Sequence, residues 1–332
     1  MPEAKRALIT GITGQDGSYL AELLLGKGYS VHGVVRRTSN VVRSRIEHLR
    51  ADESVYGSRL FLHYGDLSDG TTLRRIFSQV EPAEVYHLAG QSHVGLSFEI
   101  PESTSEEVAM ATLRLLEISR DQKQPLRFYH ASSSEIFGAP NESPQTEETA
   151  LRPTSPYGCA KAFATQLARV YRQAYGLFVC NGILYNHESP RRGENFVTRK
   201  IARAVARISR GLEHELVLGN TSARRDWGYA LDYVEAMWLM LQHNEPDDYV
   251  VATGVTHSVQ DFVEEAFAVV DLPWEKHVKH NPAFERPNEP NRLVGSPEKI
   301  ERVLGWEGQT SFSGLVREMV EAELAALGPE VE

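Results

Sequence analysis

A short apolar segment, Ala7 to Thr10, runs into Gly11-Ile12-Thr13-Gly14-Gln15-Asp16-Gly17, and the helix-forming stretch Ser18 to Leu25 follows at once. No other stretch restricts the fold as much. Missing side chains allow a tight turn, close approach of an anion to the backbone and close packing of helix on strand, while the first helical amides face that anion. In an isolated loop such a trio means only a turn; between a strand and a helix it marks a βα unit of a parallel sheet. Further strand-length segments follow at Ser30 to Val35, Leu60 to Tyr64, Glu84 to Leu88, Arg127 to Ala131 and Val179 to Leu184. Helical patterns at Thr71 to Gln79, Glu107 to Arg120 and from Pro153 to Tyr157 onward to Ala174 fall between them. The alternation predicts an α/β fold, a Rossmann-like parallel sheet with helices on both faces.

The later chain is organised differently. Asn186 to Gly193 is polar and contains proline, Phe196 to Ser209, Tyr229 to Gln242, Val259 to Val269 and Phe312 to Leu327 read as helices, and Leu272 to Glu298 is loop-rich. A chain of 332 residues has room for one large core and a smaller attached region. We therefore expect residues 1–185 to form mainly the nucleotide-binding part and 186–332 mainly a substrate-binding region, interleaved with late sheet elements. A net charge of −10 argues against nonspecific nucleic-acid binding. No apolar run reaches the roughly 20 residues that a bilayer crossing needs, and the chain opens on its first strand without a leader, so a cytoplasmic protein with no membrane partner is expected. Cys159 and Cys180 lack metal-site or disulfide spacing and read as ordinary semi-buried residues, with no metal implied.

Where strand two ends, a dinucleotide without a 2′-phosphate usually meets an acidic residue. This chain has Arg36-Arg37 there, two guanidinium groups that suit the extra phosphate and favour NADP over NAD. Asp66-Leu67, after strand three, is placed either to meet the adenine or to cap the following turn, and Leu88-Ala89-Gly90-Gln91-Ser92 follows strand four near the central phosphate and ribose. Tyr157 and Lys161 are four apart, on one face if the segment is helical. A phenol ordinarily titrates near about 10, but a neighbouring ammonium and a cationic nicotinamide favour the phenolate, which makes Tyr157 a usable base. Ser133 is placed to hold the sugar oxygen against it. Oxidising a sugar hydroxyl at C4 acidifies the hydrogen on C5. Glu135, two residues beyond Ser133, is placed to remove that proton as the C6 hydroxyl leaves, and the resulting enone accepts the stored hydride at C6. The cofactor is regenerated in each cycle.

The stretches Gly11 to Gly17, Ala131 to Gly138 and Tyr157 to Lys161 resemble the extended short-chain dehydrogenases/reductases. Within them, Val34 to Arg37, Ile46 to Leu49, Gln91 to Val94, Asn181 to Arg192, Asn195 to Lys200 and Arg225 to Gly228 resemble the GDP-mannose 4,6-dehydratase family. The resemblance implies dehydration of GDP-mannose to GDP-4-dehydro-6-deoxy-mannose, with Ser133, Glu135, Tyr157 and Lys161 catalytic. It implies cofactor contacts from Gly11 to Gly17, Arg36, Arg37, Thr38, Ser39, Asp66, Leu67, Leu88 to Ser92, Tyr157, Lys161, His187 and Arg192. It implies a GDP-sugar site lined by Ser133, Glu135, Asn186, Val197, Lys200, Gly219, Arg225, Arg286 and Glu289. A homotetramer, or else a homodimer, is also implied, because Arg43 to Leu49 matches much of a loop that reaches a neighbouring subunit's cofactor site. The chain departs from the family pattern at Ser133, usually threonine, at Ser103, usually tyrosine, at Glu107-Val108-Ala109, for Val-Asp-Gly, and at Pro290-Asn291, for Val-Asp. A GDP-heptose dehydratase shares the same elimination centre, and a nonenzymatic NADP-binding regulator is the alternative of another class.

Overall fold

Both faces of the main sheet are covered, which is why its strands read as nearly continuous apolar runs. The computed structural model describes residues 4–37, 43–284 and 293–328; Thr38, Ser39, Arg286, Glu289, Pro290 and Asn291 lie outside these. In chain order the strands are β1 (Arg6–Thr10), β2 (Ser30–Val35), β3 (Leu60–Tyr64), β4 (Glu84–His87), β5 (Arg127–Ser133), β6 (Phe178–Leu184), β7 (Asn186–Glu188), β8 (Leu216–Leu218), β9 (Arg224–Tyr229), β10 (Asp248–Val251), β11 (Thr256–Ser258) and β12 (Val278–His280). Seven of them form a parallel sheet in the order β10-β6-β5-β4-β1-β2-β3. The order reverses between β1 and β4, and the crevice beyond their C-terminal ends is where such sheets bind ligands.

The pleat sorts the core. Ala7, Ile9, Val31 and Tyr129 point to the helices Gln15–Gly26 and Ala230–Gln242, whereas Leu8, Val34, Val85 and Phe128 point to Gly70–Val80, Ala111–Arg120 and Pro156–Tyr175. A separate apolar cluster forms around Trp227, where the helices Val197–Ser209, Val259–Ala268 and Phe312–Leu327 pack together. Beside it lie the three-stranded sheet β11-β9-β7 and the pair β12-β8. The stretch expected to be loop-rich thus contains β12. The helix expected from Glu107 opens instead with a π turn, Glu106–Met110, and is α-helical from Ala111 to Arg120. Neither cysteine is semi-buried: Cys159 is exposed, and Cys180 is buried, with burial pushing its thiol up to about 12. Among the described residues no helix is long and apolar enough to cross a membrane.

The late strand β10 is held to the sheet by a buried charge. Asp248, 3% exposed, accepts hydrogen bonds from Arg169, Arg172 and Asn181. Burial pushes its carboxyl up, but Arg172 and Arg169 outweigh this and hold it below its ordinary value. A depressed folded-state value means the stabilisation is present above the ordinary 3.8 and is lost as pH falls through the lower, folded value. We expect Asp248→Asn to cost about 3–5 kcal/mol in urea unfolding at pH 7, with the gap to the parent protein narrowing in acid; superimposable unfolding curves at pH 7 would refute the assignment.

Candidate active site

Ser155 and Pro156 set the start of the helix Pro156–Tyr175: the serine hydroxyl accepts from Gly158 N at 3.0 Å, and proline occupies the first turn, where no amide partner is needed. Gly158 is there for space, since a Cβ would stand 2.7 Å from the Glu135 carbonyl oxygen. The helix therefore rests directly on the backbone of the turn after β5. One turn on, the Lys161 Nζ donates to the Ala131 carbonyl at 2.7 Å. Ser133 ends β5, and its hydroxyl accepts from Glu135 N at 3.3 Å. Strand tip and helix start thus bring Ser133, Glu135, Tyr157 and Lys161 to the wall of one cleft of about 520 Å³.

Burial governs the two titrating groups on the helix. It pushes the Tyr157 phenol up to about 12, with a hydrogen bond from Ser133 pulling down and the Glu135 carboxylate pushing up. It pushes the Lys161 ammonium down to about 8. Desolvation of the phenolate is the largest effect on Tyr157, and Lys161 is not among the main groups that lower its phenol.

Across the cleft the glycine turn forms a cradle that side chains would fill. Gly11 has φ +78°, and a Cβ there would stand 2.8 Å from Ala89 N; a Cβ on Gly17 would stand 2.2 Å from the Gly11 carbonyl oxygen. The turn and the first helical amides are therefore open to a pyrophosphate, and the residues present fit a dinucleotide. Thr13, Gly14, Gln15 and Asp16 line the same wall, while the Ile12 side chain is fully buried against Gly33. Asp16 receives a hydrogen bond from His187 Nε2 at 2.9 Å, and His187 Nδ1 lies 2.7 Å from the Tyr185 carbonyl. Gln15 joins the two segments, donating to the His187 carbonyl at 3.1 Å and accepting from Ser189 at 2.9 Å. Burial raises the Asp16 carboxyl, but His187 outweighs it and holds the group below its ordinary value. Burial lowers His187, and Asp16 more than reverses this.

At the outer end Arg36 lines the cleft and Arg37 is exposed away from it. Asp66 also lines the cleft while its Oδ1 accepts from Ser68 N and Oγ at 2.9 and 2.6 Å, so it does fold the turn after β3. Leu67 and Leu88 to Ser92 border the same space. On the other side stand Asn186, Arg192 and Arg225; Arg192 pairs with Glu188 at 3.1 Å and lies over the Phe196 ring. Val197, Lys200 and Gly219 do not line this cleft. Val197 packs on the Trp227 cluster, Lys200 donates to the Val217 carbonyl at 2.6 Å, and Gly219 follows β8. Arg286, Glu289, Thr38 and Ser39 are outside the described residues. Arg45, in the segment matched to an intersubunit loop, donates to the carbonyls of Arg191 and Thr13 of its own chain. Two contributors carried no separate sequence signal: Asp226, next to Arg225, whose carboxylate binds the backbone amides of Thr253, Gly254 and Gly295, and the Ala131 carbonyl that anchors Lys161.

A family profile described as GDP-mannose 4,6 dehydratase matches residues 8–319. The chain belongs to this family. It is 52% identical over 325 residues to GDP-mannose 4,6 dehydratase 1 of Arabidopsis thaliana, covering 96% of this chain and 90% of the relative. It is 48% identical to the human GDP-mannose 4,6 dehydratase, with 96% and 91% covered. Among solved structures, a dTDP-glucose 4,6-dehydratase from Streptomyces venezuelae with NAD bound superposes at TM-score 0.85 with 25% identity, covering 97% and 98% of the two chains. A UDP-glucose 4-epimerase from Thermus thermophilus, also with NAD, gives 0.83 and 28%, covering 97% and 99%. The fold is that of the nicotinamide-dependent nucleotide-sugar dehydratases and epimerases.

The Asp16–His187 pair yields a sharp expectation. Its contribution is complete between the ordinary values of 3.8 for the carboxyl and 6.5 for the imidazole, and it is lost below the depressed Asp16 value and above the raised His187 value. By NMR titration the His187 ring should have a midpoint above 6.5 in the parent protein and below it in Asp16→Asn, where burial and the Arg192 charge are opposed chiefly by the smaller effect of the Tyr185 carbonyl. Equal midpoints would refute the pairing.

Proposed function

We infer that the chain converts GDP-mannose to GDP-4-dehydro-6-deoxy-mannose and water, with NADP as its nicotinamide cofactor. The observation that carries the reading is the packing of Gly158 on the Glu135 backbone, because it brings an elimination carboxylate alongside a Ser133, Tyr157 and Lys161 set in a chain that belongs to this family. Bound on the Gly11 to Gly17 cradle, the nicotinamide would accept the C4 hydride and return it at C6.

The protein groups handle the protons and the orientation. Ser133 and Tyr157 hold the C4 hydroxyl between them, and the Tyr157 oxygen takes its proton as the alcohol becomes a ketone. Lys161, fixed on Ala131, keeps a positive charge beside the phenol and orients the ribose. The ketone makes the C5 hydrogen acidic, Glu135 removes it, and the C6 oxygen departs as water with that proton. Hydride returned at C6 and a solvent proton taken up at C5, balanced by loss of the C4 hydroxyl's proton from Tyr157 to solvent, would complete the 6-deoxy sugar. Arg225 and Asn186 would face the GDP-sugar, and Lys200 would reach a diphosphate only by leaving the Val217 carbonyl. His187, Arg192 and Leu88 to Ser92 would border the cofactor, and Arg36 is the cleft cation suited to a 2′-phosphate. In this reading residues 1–185 mainly hold the cofactor and 186–332 mainly the sugar nucleotide, with β10 contributed back to the first part. The match of Arg43 to Leu49 to an intersubunit loop supports a homotetramer, for which light scattering should give the mass of four chains; the mass of two would identify a dimer instead.

Incubation with GDP-mannose and catalytic NADP in deuterated water should give a 4-keto-6-deoxy sugar with solvent deuterium at C5 and the original C4 hydrogen at C6. Glu135→Gln should keep its cofactor affinity and lose roughly 10²- to 10⁴-fold in turnover. Turnover within about twofold of the parent protein would remove Glu135 from the mechanism.

A further inference from the structure

The end of β2 offers arginines to the cofactor, but the fold brings a carboxylate to the same place from a distant element. Glu107 belongs to the π turn Glu106–Met110, and its Oε1 stands 3.4 Å from Arg36 Nη1 at the cleft wall. Its neighbour Glu106 is taken by Arg114 at 2.8 Å, and Arg114 also donates to the Leu67 carbonyl. That brace ties the turn to the loop after β3, and of the two glutamates it is Glu107 that lines the cleft. Arg36 has a second acidic neighbour. The Asp66 carboxyl is held below its ordinary value, chiefly by Ser68 hydrogen bonds and further by Arg36. The guanidinium is thus paired with one carboxylate and acts on the second through its charge alone.

The two forms of the cofactor make opposite demands on this arrangement. A phosphate monoester carries about −1.5 to −2 charges at neutral pH, so a 2′-phosphate must draw Arg36 away from Glu107 and then sit beside a like charge. A bare ribose 2′-hydroxyl needs an acidic acceptor, the role a carboxylate plays in NAD sites. We propose that Glu107 is a cofactor-specificity residue, withholding Arg36 from the 2′-phosphate and accepting from the 2′-hydroxyl, so that the chain takes NAD as well as NADP. The proposal rests on the reading of the cleft as a nicotinamide dinucleotide site.

The test is calorimetric binding of NADP⁺ and of NAD⁺, without sugar nucleotide, to the parent protein, Glu107→Gln, Glu107→Val, Arg36→Ala and the double variant Arg36→Ala with Glu107→Gln. The parent protein should bind both forms. Glu107→Gln should tighten NADP⁺ by about three- to tenfold, the scale of an exposed ion pair plus a like-charge repulsion, and should not tighten NAD⁺. The gain should shrink in the Arg36→Ala background, where there is no guanidinium to release and only the like-charge repulsion is left to relieve. A ratio of the two dissociation constants that stays within about twofold in both Glu107 variants, or an equal gain without Arg36, would overturn the proposal while leaving the dinucleotide site intact. Failure of the parent protein to bind either form would overturn the site reading and the proposal together.

Discussion

The hydrogen bond from the buried Lys161 ammonium to the Ala131 carbonyl fixes almost everything else in the catalytic end of the cleft. It sets the rotation of the helix Pro156–Tyr175 against the tip of β5, and so the direction in which Tyr157, one turn earlier, presents its oxygen. Gly158 sets the depth of that packing, because any larger residue would push the helix off the Glu135 carbonyl. Ser133 and Glu135 leave the same strand within two residues of each other. In the proposed mechanism the hydride-transfer groups and the elimination base thus share one rigid joint, and a displacement of either element would misalign both chemical steps.

Burial also decides which charges survive there. Beneath Lys161, His87 and His130 are both held below their ordinary values, chiefly by burial and then by neighbouring positive charge, His130 down to about 3. Neutral imidazoles serve as hydrogen-bond links: His87 lies between Thr10 and Thr112, and His130 leads through Asn181 to Asp248. The second of these links ends on the ion pairs that hold β10. With the phenol near 12 and the ammonium near 8, the site's own groups keep the proton on Tyr157. A further positive charge facing the phenol would shift that balance, which ties the base's activation to occupancy of the cleft.

Local patterns made much of this legible from the sequence. The glycine turn, the strands β1 to β6 and the four-residue spacing of Tyr157 and Lys161 depend on neighbours in the chain, and periodicity records them. What escaped depends on distant partners. The strand β10 is four residues long and opens on Asp248, whose charge is acceptable only because Arg169 and Arg172 lie 79 and 76 residues away in sequence. The expectation that an ammonium and a cationic nicotinamide favour the phenolate counted charges only, whereas desolvation, the largest effect of the protein's own groups on Tyr157, is a property of the whole core. Lys200 looked like a free cation suited to a diphosphate, and only the folded chain shows the Val217 carbonyl beside it. Glu107 stood out only as a departure from the family pattern, since its partner Arg36 is 71 residues away.

The two ends of the cleft tolerate change very differently. At the catalytic end Tyr157 and Lys161 are buried, Ser133 and Glu135 are half-buried, and Lys161 and Ser133 bond to backbone atoms, so a substitution there disturbs desolvation, hydrogen bonding and helix position at once. At the adenosine end Arg36 is mostly exposed and Glu107 about one-third exposed, and an ion pair of that kind is worth only about 0–1 kcal/mol to the fold. Yet the same small energy, set against a 2′-phosphate, is enough to shift preference between two cofactors by several-fold. Cofactor choice can therefore drift at that end without cost to stability or to the chemistry at the other.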